Sequence, residues 1–345
     1  MTPAELSRTV LYAVRRAVED GELAVAVPER VVVAPPGPGG CGDYATNVAL
    51  QLARRAGQPA PKVAEVIRAR LLGAGGISDV VVTGPGFINF RLRSGAPADL
   101  VREILRHGSR YGHGDSLAGQ GVVRLRAANE VRAVVHLDAV ARLLRSQGAL
   151  VHAGCADPLV AEWGSVLGVR VDGVPDGSPD AGIRPVPAPS DPLPLGRDAA
   201  RWALLYPAPH DRPRIDDGHL VQRESNPLFR VRYAHARSRA VVRNAADLGF
   251  GAEPGAVEAQ AALVQALADH PRVLSGAASH RAPDRLARHL VSVADALPPL
   301  LPAVLPLGDE KPSAAHRARL ALAEAAGTVL AGGLSLLGID APDHL

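Results

Sequence analysis

Lysine is almost missing from this chain. Thirty-six of its 38 basic residues are arginine, and the two lysines are Lys62 and Lys311. No Gly-Lys-Ser/Thr phosphate loop exists, because neither lysine follows a glycine. Aromatic residues make up 3% of the 345 positions, so any core must be built from Ala, Leu and Val, a composition that favours helices. Two cysteines, Cys41 and Cys155, exclude a disulfide framework and a cysteine zinc site. No signal-peptide core follows Met1 and no apolar run approaches membrane-span length, so a cytoplasmic protein without membrane contact is expected. A net charge of +3, with no third of the chain exceeding it, excludes the field of a nonspecific nucleic-acid binder. Arginine in excess has two readings: the codon usage of a GC-rich genome, or forked recognition of phosphate in local patches.

What is present divides into three parts. In the first, Thr2-Pro3-Ala4-Glu5 forms a capping box with proline at the first helical position, and Leu6, Val10, Val14 and Ala17 follow on one face. A strand is expected at 30–34, helices at 43–57 and 63–72, strands at 78–83 and 87–92 around Gly84-Pro85-Gly86, and a helix at 97–107. The order α-β-α-α-β-β-α describes a small α+β domain. Phe87 and Asn89 share strand parity and so project to one face. An aromatic ring and an amide side by side suit a flipped-out RNA base, one stacking and one reading its edge. The plainer alternative is that Phe87 is core and Asn89 caps a turn.

Two segments of this part, Gly42-Asp43-Tyr44-Ala45-Thr46-Asn47 and Gly84-Pro85-Gly86-Phe87-Ile88-Asn89-Phe90, resemble the appended amino-terminal domain of arginyl-tRNA synthetases. Their spacing, and the run Arg110-Tyr111-Gly112 near the domain's end, fit as well. The resemblance implies a grip on the outer corner of tRNA, near the D-loop.

The middle third opens with a β-α-β unit: a strand at 122–125, an apolar-periodic helix at 134–147 with Gly148 as its stop, and a strand at 149–153. In the family this is where the catalytic domain begins, with a His-x-Gly-His turn. Here Ala127-Ala128-Asn129-Glu130 runs almost directly into Val134-Val135-His136-Leu137, leaving a lone His136. The Lys-Met-Ser-Lys signature is impossible, since Met1 is the one methionine. Prolines at 175, 179, 185, 187, 189, 192 and 194 predict a surface linker over 175–194 that is neither regular sheet nor helix. Gly196-Arg197-Asp198-Ala199-Ala200-Arg201-Trp202 then resembles the helical segment that follows the missing loop. His152, Cys155, Asp157 and Glu162 match no metal-ligand spacing, and no metal is expected.

The last third reads as a helix bundle, with helices near 226–247, 253–269, 282–297 and 313–337. The run from Asn226 to Arg237, with its Asn-Pro entry and Tyr-Ala-His-Ala-Arg stretch, resembles the family's anticodon-binding domain, as does the ending Ala341-Pro342-Asp343-His344-Leu345. Arg230 and Arg237 share one stripe of the first helix, and Arg232, Arg239 and Arg243 a second, with Glu224 the one acid opposed to them in the sequence. The stripes are either an ordinary solvated face or a phosphate-tracking ridge with Tyr233 beside it. Where the family sets tyrosines and phenylalanines toward the anticodon pocket, this chain has Val291, Leu297, Leu300 and Leu301, with Pro298 and Pro299 breaking the helix.

The expected fold is mixed α+β and α: an amino-terminal tRNA-corner domain (1–118), a shrunken Rossmann-like β-α-β remnant of a class I catalytic domain (119–222), and a DALR-type helical domain (223–345). The resemblance implies a tRNA-binding, catalytically inactive paralogue of arginyl-tRNA synthetase. Its tRNA contacts would be Phe87, Asn89, Arg230, Arg232, Tyr233, Arg237, Arg239 and Arg243, with no catalytic residues and no cofactor. Two alternatives stand beside it: an arginine–tRNA ligase with a rebuilt active site, which would need ATP, and a regulatory partner of the true synthetase. The expected partner is tRNA, with an arginine tRNA and the true synthetase as candidates and the identity of the tRNA left open by the sequence; DNA is not expected.

Overall fold

The computed structural model describes residues 3–37, 40–92, 95–155, 157–173, 179–257 and 260–345. They form two compact units, 1–100 and 101–345.

The first unit begins with α1 (Pro3–Glu19), whose Leu6, Val10, Val14 and Ala17 are all buried, as their spacing predicts. Thr2 of the expected capping box lies outside the described residues. A three-stranded antiparallel sheet follows, in the order β1 (Tyr44–Thr46), β3 (Phe87–Leu92), β2 (Ile77–Thr83), with α2 (Val48–Ala56) and α3 (Ala60–Leu71) between β1 and β2 in sequence. Val48, Leu52, Val63, Ile67 and Leu71 close the core against Ile88 and Phe90 of β3.

Residues 30–34 are not the expected strand. Only Ala34 bridges the sheet, to Ala45. The carbonyls of Val31 and Val32 are taken by the hydroxyls of Ser7 and Thr46 instead, so no ladder forms. The strand in that place in the order is β1, inside a stretch expected to be helical. There α2 starts late, at Val48, and ends on Gly57 in the left-handed region as anticipated.

β1 explains the two distinctive motifs. They are partners: Tyr44 pairs with Phe90, Ala45 with Asn89 and Thr46 with Ile88. Asp43 N donates to Phe90 O at 2.7 Å, and its carboxylate accepts from Leu92 N at 2.7 Å. Gly42 has φ +83°, and a Cβ there would run into the Phe90 carbonyl. The Gly-Asp-Tyr sequence is thus a backbone clasp.

The division between units falls within α4 (Ala96–His107). The second unit holds a parallel sheet, β4 (Val122–Ala127) between β5 (Leu150–Cys155) and β6 (Ala181–Ile183), with α5 (Val131–Ser146) crossing from β4 to β5. β6 overturns the reading of 175–194 as irregular linker. Its three residues contain no proline, Pro179 and Pro185 flank them, and β4 supplies the ladder. Pro175 and its neighbours over 174–178 lie outside the described residues.

After a short α6 (Ala161–Ser165) and then α7 (Gly196–Leu205), four helices complete the unit: α8 (Pro227–Asp247), α9 (Ala261–Ser279), α10 (Pro283–Ala296) and α11 (Ala314–Leu337). α9 sits well beyond its expected span because Pro271 does not stop it. Proline removes the amide that would bond the carbonyl four residues back, that of Leu267. The phenol of Tyr111 donates to that carbonyl at 3.2 Å, and its ring stacks on His270. α11 is long and apolar enough to cross a membrane by length and composition, contrary to the expectation that no such run exists. With 72% of its most apolar window buried, it is the central helix of the bundle. A Cβ on its Gly327 would collide with Ser238 of α8, so small residues set that crossing.

Candidate RNA-binding faces and the end of the parallel sheet

Parallel sheets of this kind bind ligands beyond the carboxyl ends of their strands, with anions at the N-terminus of the following helix. Here that place is filled by the chain itself. Glu130 is the N-cap of α5, and its carboxylate accepts from the amides of Arg132 (3.1 Å) and Ala133 (2.8 Å) and from Ala188 N (3.0 Å). A protein carboxylate therefore sits where a substrate phosphate would. Next to it, Arg132 is fully buried. Its guanidinium donates to the carbonyls of Val186, Leu204, Pro207, Ala208 and Asp211, at 2.6–3.2 Å. These bonds draw the segments 186–188 and 204–211 over the end of the sheet. Burial pulls this guanidinium below its ordinary pKa.

His136 offers nothing to an open cleft. It is buried, with Nε2 3.0 Å from Leu204 O, and burial pushes its pKa down to about 4. Two residues on, Asp138 meets the buried Arg201 of α7 at 2.6 Å. The amides at the start of α5 and the Arg132 guanidinium, the donors nearest the end of the sheet, are thus taken up by Glu130 and by backbone carbonyls. Among the described residues no group of three or more His, Cys, Asp or Glu could hold a metal ion. Cys155 is buried, which raises its thiol pKa.

In the first unit the structure separates Phe87 from Asn89. Phe87 is 41% exposed, so it is not core, whereas Asn89 is 2% exposed. The amide of Asn89 is turned into the hairpin. Nδ2 donates to Thr83 Oγ1 (2.8 Å), Val81 O (3.2 Å) and Phe87 O (3.4 Å), and Oδ1 accepts from Cys41 N (3.3 Å). Strand parity places both residues on one side, but the 40–41 loop covers only Asn89. The expected two-residue reading face is therefore a single presented ring.

On α8 the arginine stripes are largely neutralised. Arg230 holds both carboxylate oxygens of Asp295 at 2.8 Å. Arg232 lies 3.6 Å from Asp198, and Arg239 pairs with Asp343 at 3.2 Å. Arg243 donates to the Asp343 carbonyl at 3.3 Å. The reading that Glu224 alone opposes these charges fails, because the acids arrive from α7, α10 and the tail. Arg237 is exposed and, among the described residues, has no ion-pair or hydrogen-bond partner. With the 46%-exposed Tyr233 it lines a groove of about 240 Å³, closed by Ala234, Pro298, Leu301 and Pro302. Tyr233 stacks on Phe229, which lines a second cavity of about 320 Å³ together with Arg197, Asp198 and Arg232. Of the residues standing where aromatics were expected, Val291, Leu297 and Leu300 are buried, and Leu301 reaches the groove.

Comparison with known proteins identifies the two outer domains. Residues 5–92 match the arginyl tRNA synthetase N terminal domain, and residues 231–345 match the DALR anticodon binding domain. A sequence from Frankia alni named arginine–tRNA ligase is 26% identical over an alignment of 552 positions that covers all of both chains. This chain has 345 residues, so gaps opposite the relative carry the difference. An arginine–tRNA ligase from Renibacterium salmoninarum is 42% identical over 164 residues, covering 44% of this chain and 30% of that one. The arginyl-tRNA synthetase structure from Thermus thermophilus superposes with a TM-score of 0.71 at 17% identity, covering both chains fully. That from Plasmodium falciparum gives 0.67 at 10%, covering 99% of each. The two matched domains and the shared fold define a synthetase-type chain with an appended amino-terminal domain and an anticodon-binding bundle. The chain belongs to the arginyl-tRNA synthetase family.

Proposed function

We propose that this protein binds tRNA, an arginine tRNA first, and does not charge it. The observation that carries the reading is the Glu130 carboxylate on the amides at the start of α5. A phosphate brought there would meet a negative charge instead of free donors. The buried Arg132, spent on five carbonyls, and the absence of a Lys-Met-Ser-Lys loop support it. RNA contact is supported by the two matched domains, by the Phe87 ring on the first unit and by Tyr233 and Arg237 on α8. The protein needs no cofactor for this role and acts in the cytoplasm, alone or beside the true synthetase.

Two assays test it. Binding to total tRNA should be micromolar or tighter and should weaken with salt. ATP–pyrophosphate exchange with arginine should stay at background. The names of the relatives favour a second reading, an active arginine–tRNA ligase. Aminoacylation of any tRNA by the purified protein would establish that reading and end the first.

A further inference from the structure

We propose that the outer face of the parallel sheet in the second unit is a further contact for the bound tRNA, one that holds its phosphate backbone; this rests on the tRNA binding proposed above. The ladder fixes which side chains share a face. Leu125 and Ala127 of β4, Ala153 and Cys155 of β5 and Ile183 of β6 are buried toward α5. The alternate residues face the other way: Val122, Arg124 and Arg126 on β4, Leu150 and His152 on β5, and Gly182 on β6. A parallel sheet ordinarily has both faces covered. Here Leu150 is 67% and Val122 45% exposed, and Arg124, Gly182 and Arg184 are exposed as well. Arg126 and Gly182 are register partners, and the Arg184 side chain lies over Gly182, where a Cβ would stand 3.3 Å from its Nε. Two guanidinium groups therefore adjoin at one glycine, with Arg124 about 7 Å away along β4. Among the described residues none of the three side chains has an ion pair or a hydrogen bond. Arg126 Nε and His152 Nε2 are shielded from water and still lack a partner. The acids at the sheet's edges are engaged elsewhere. Asp180 accepts from the Arg124 backbone amide at 2.7 Å, and Asp172 from Arg145 and from Ala153 N. A row of unpaired guanidinium forks with no acid set against it matches a chain of phosphates. No Phe, Tyr or Trp stands on this face among the described residues, and His152 is half-buried, so a base has no platform here and the backbone is what the face can hold.

The test removes the three charges together, with Arg124→Ala, Arg126→Ala and Arg184→Ala in one chain whose fold is confirmed by circular dichroism. Binding of tRNA is titrated over a range of salt. The triple variant should bind about tenfold more weakly at low salt, and its salt-dependence slope should fall by about two to three phosphate contacts. A local readout uses the unaltered protein: phenylglyoxal, an arginine reagent, should modify Arg124, Arg126 and Arg184 several-fold more slowly when tRNA is saturating, as mapped by mass spectrometry. An unchanged slope, or equal modification with and without tRNA, overturns the inference and leaves tRNA binding by the two matched domains standing. Loss of inorganic phosphate binding with an unchanged tRNA slope would make the face a small-anion site and overturn it too. If the unaltered protein binds no tRNA, the reading beneath the inference fails and takes it along. Should the triple variant not fold, Arg124→Gln, at an exposed position, should lower the slope by about one contact, and no change there overturns the inference in its place.

Discussion

Arg230 and Asp295 form an ion pair in which the single nitrogen Nη1 lies 2.8 Å from each carboxylate oxygen. They are 65 residues apart in the chain, on α8 and α10. Under the proposed tRNA binding, this pairing sets Arg230 apart from Arg237, which has no partner among the described residues. Arg237→Ala should weaken tRNA binding and lower the salt-dependence slope by about one phosphate contact, while Arg230→Ala should leave that slope nearly unchanged. Fluorescence anisotropy titrations over a range of salt measure both. Equal slope changes would show that Asp295 yields to phosphate.

The base-stacking role proposed for Phe87 has a stability corollary. Its ring is half in water, so Phe87→Ala should cost about 1–3 kcal/mol of tRNA binding but less than about 1 kcal/mol of folding. Denaturant unfolding monitored beside the binding titration separates the two.

The Arg201–Asp138 pair lies wholly inside the second unit, at 2.6 Å with side chains 0% and 5% exposed. Arg201 also donates to Leu337 O and Leu167 O. Asp138→Asn should destabilise the protein by about 3–5 kcal/mol, because the remaining guanidinium stays buried without its counter-charge. Urea midpoints report the change. A loss below about 1 kcal/mol would mean that the carbonyls suffice.

Tyr111→Phe should cost about 1–3 kcal/mol, the penalty for leaving the Leu267 carbonyl buried without a donor. Converting Pro271 to alanine in the same background should recover most of that loss, since the helix amide returns. A double-mutant cycle in urea measures the coupling.

Acid should unfold the second unit early. Burial pushes His136 and His289 down to about 4 and His270 to about 3, and it lowers His113 as well. His270 and His289 lie ring to ring, with Tyr111, Asp269 and Arg272 around them. In the unfolded chain each imidazole takes a proton near pH 6.5. The unfolded state therefore binds more protons below that value, so the stability held at neutral pH falls from about pH 6.5 toward pH 4 and below. Each such histidine contributes a slope of about 1.4 kcal/mol per pH unit. His270→Phe should flatten the profile. An identical profile in that variant would remove His270 from the account.

Much of the architecture was legible in the residues. Apolar spacing located α1, α3, α5, α8, α10 and α11 to within a few positions, because a helix face is a local property of the sequence. The β4-α5-β5 unit and the hairpin around Gly84-Pro85-Gly86 were equally local. The errors have non-local causes. β6 exists because β4 offers it a ladder from 50-odd residues away in the chain, roughly the length of a βαβ crossover plus loop. α9 passes Pro271 because Tyr111 arrives from outside the helix.

The same division holds for function. The sequence alone determined that two RNA-type domains are present and that a lysine-based phosphate clamp is not, since those are matters of which residues exist. Tertiary structure decided which of them are available. It buried Asn89 beneath the 40–41 loop while leaving Phe87 open, set Asp295 and Asp343 against Arg230 and Arg239, and left Arg237 unpaired among the described residues. It also placed Glu130 across the amides of α5. The reason is physical: solvation and charge pairing depend on neighbours in space, and those neighbours came from distant parts of the chain.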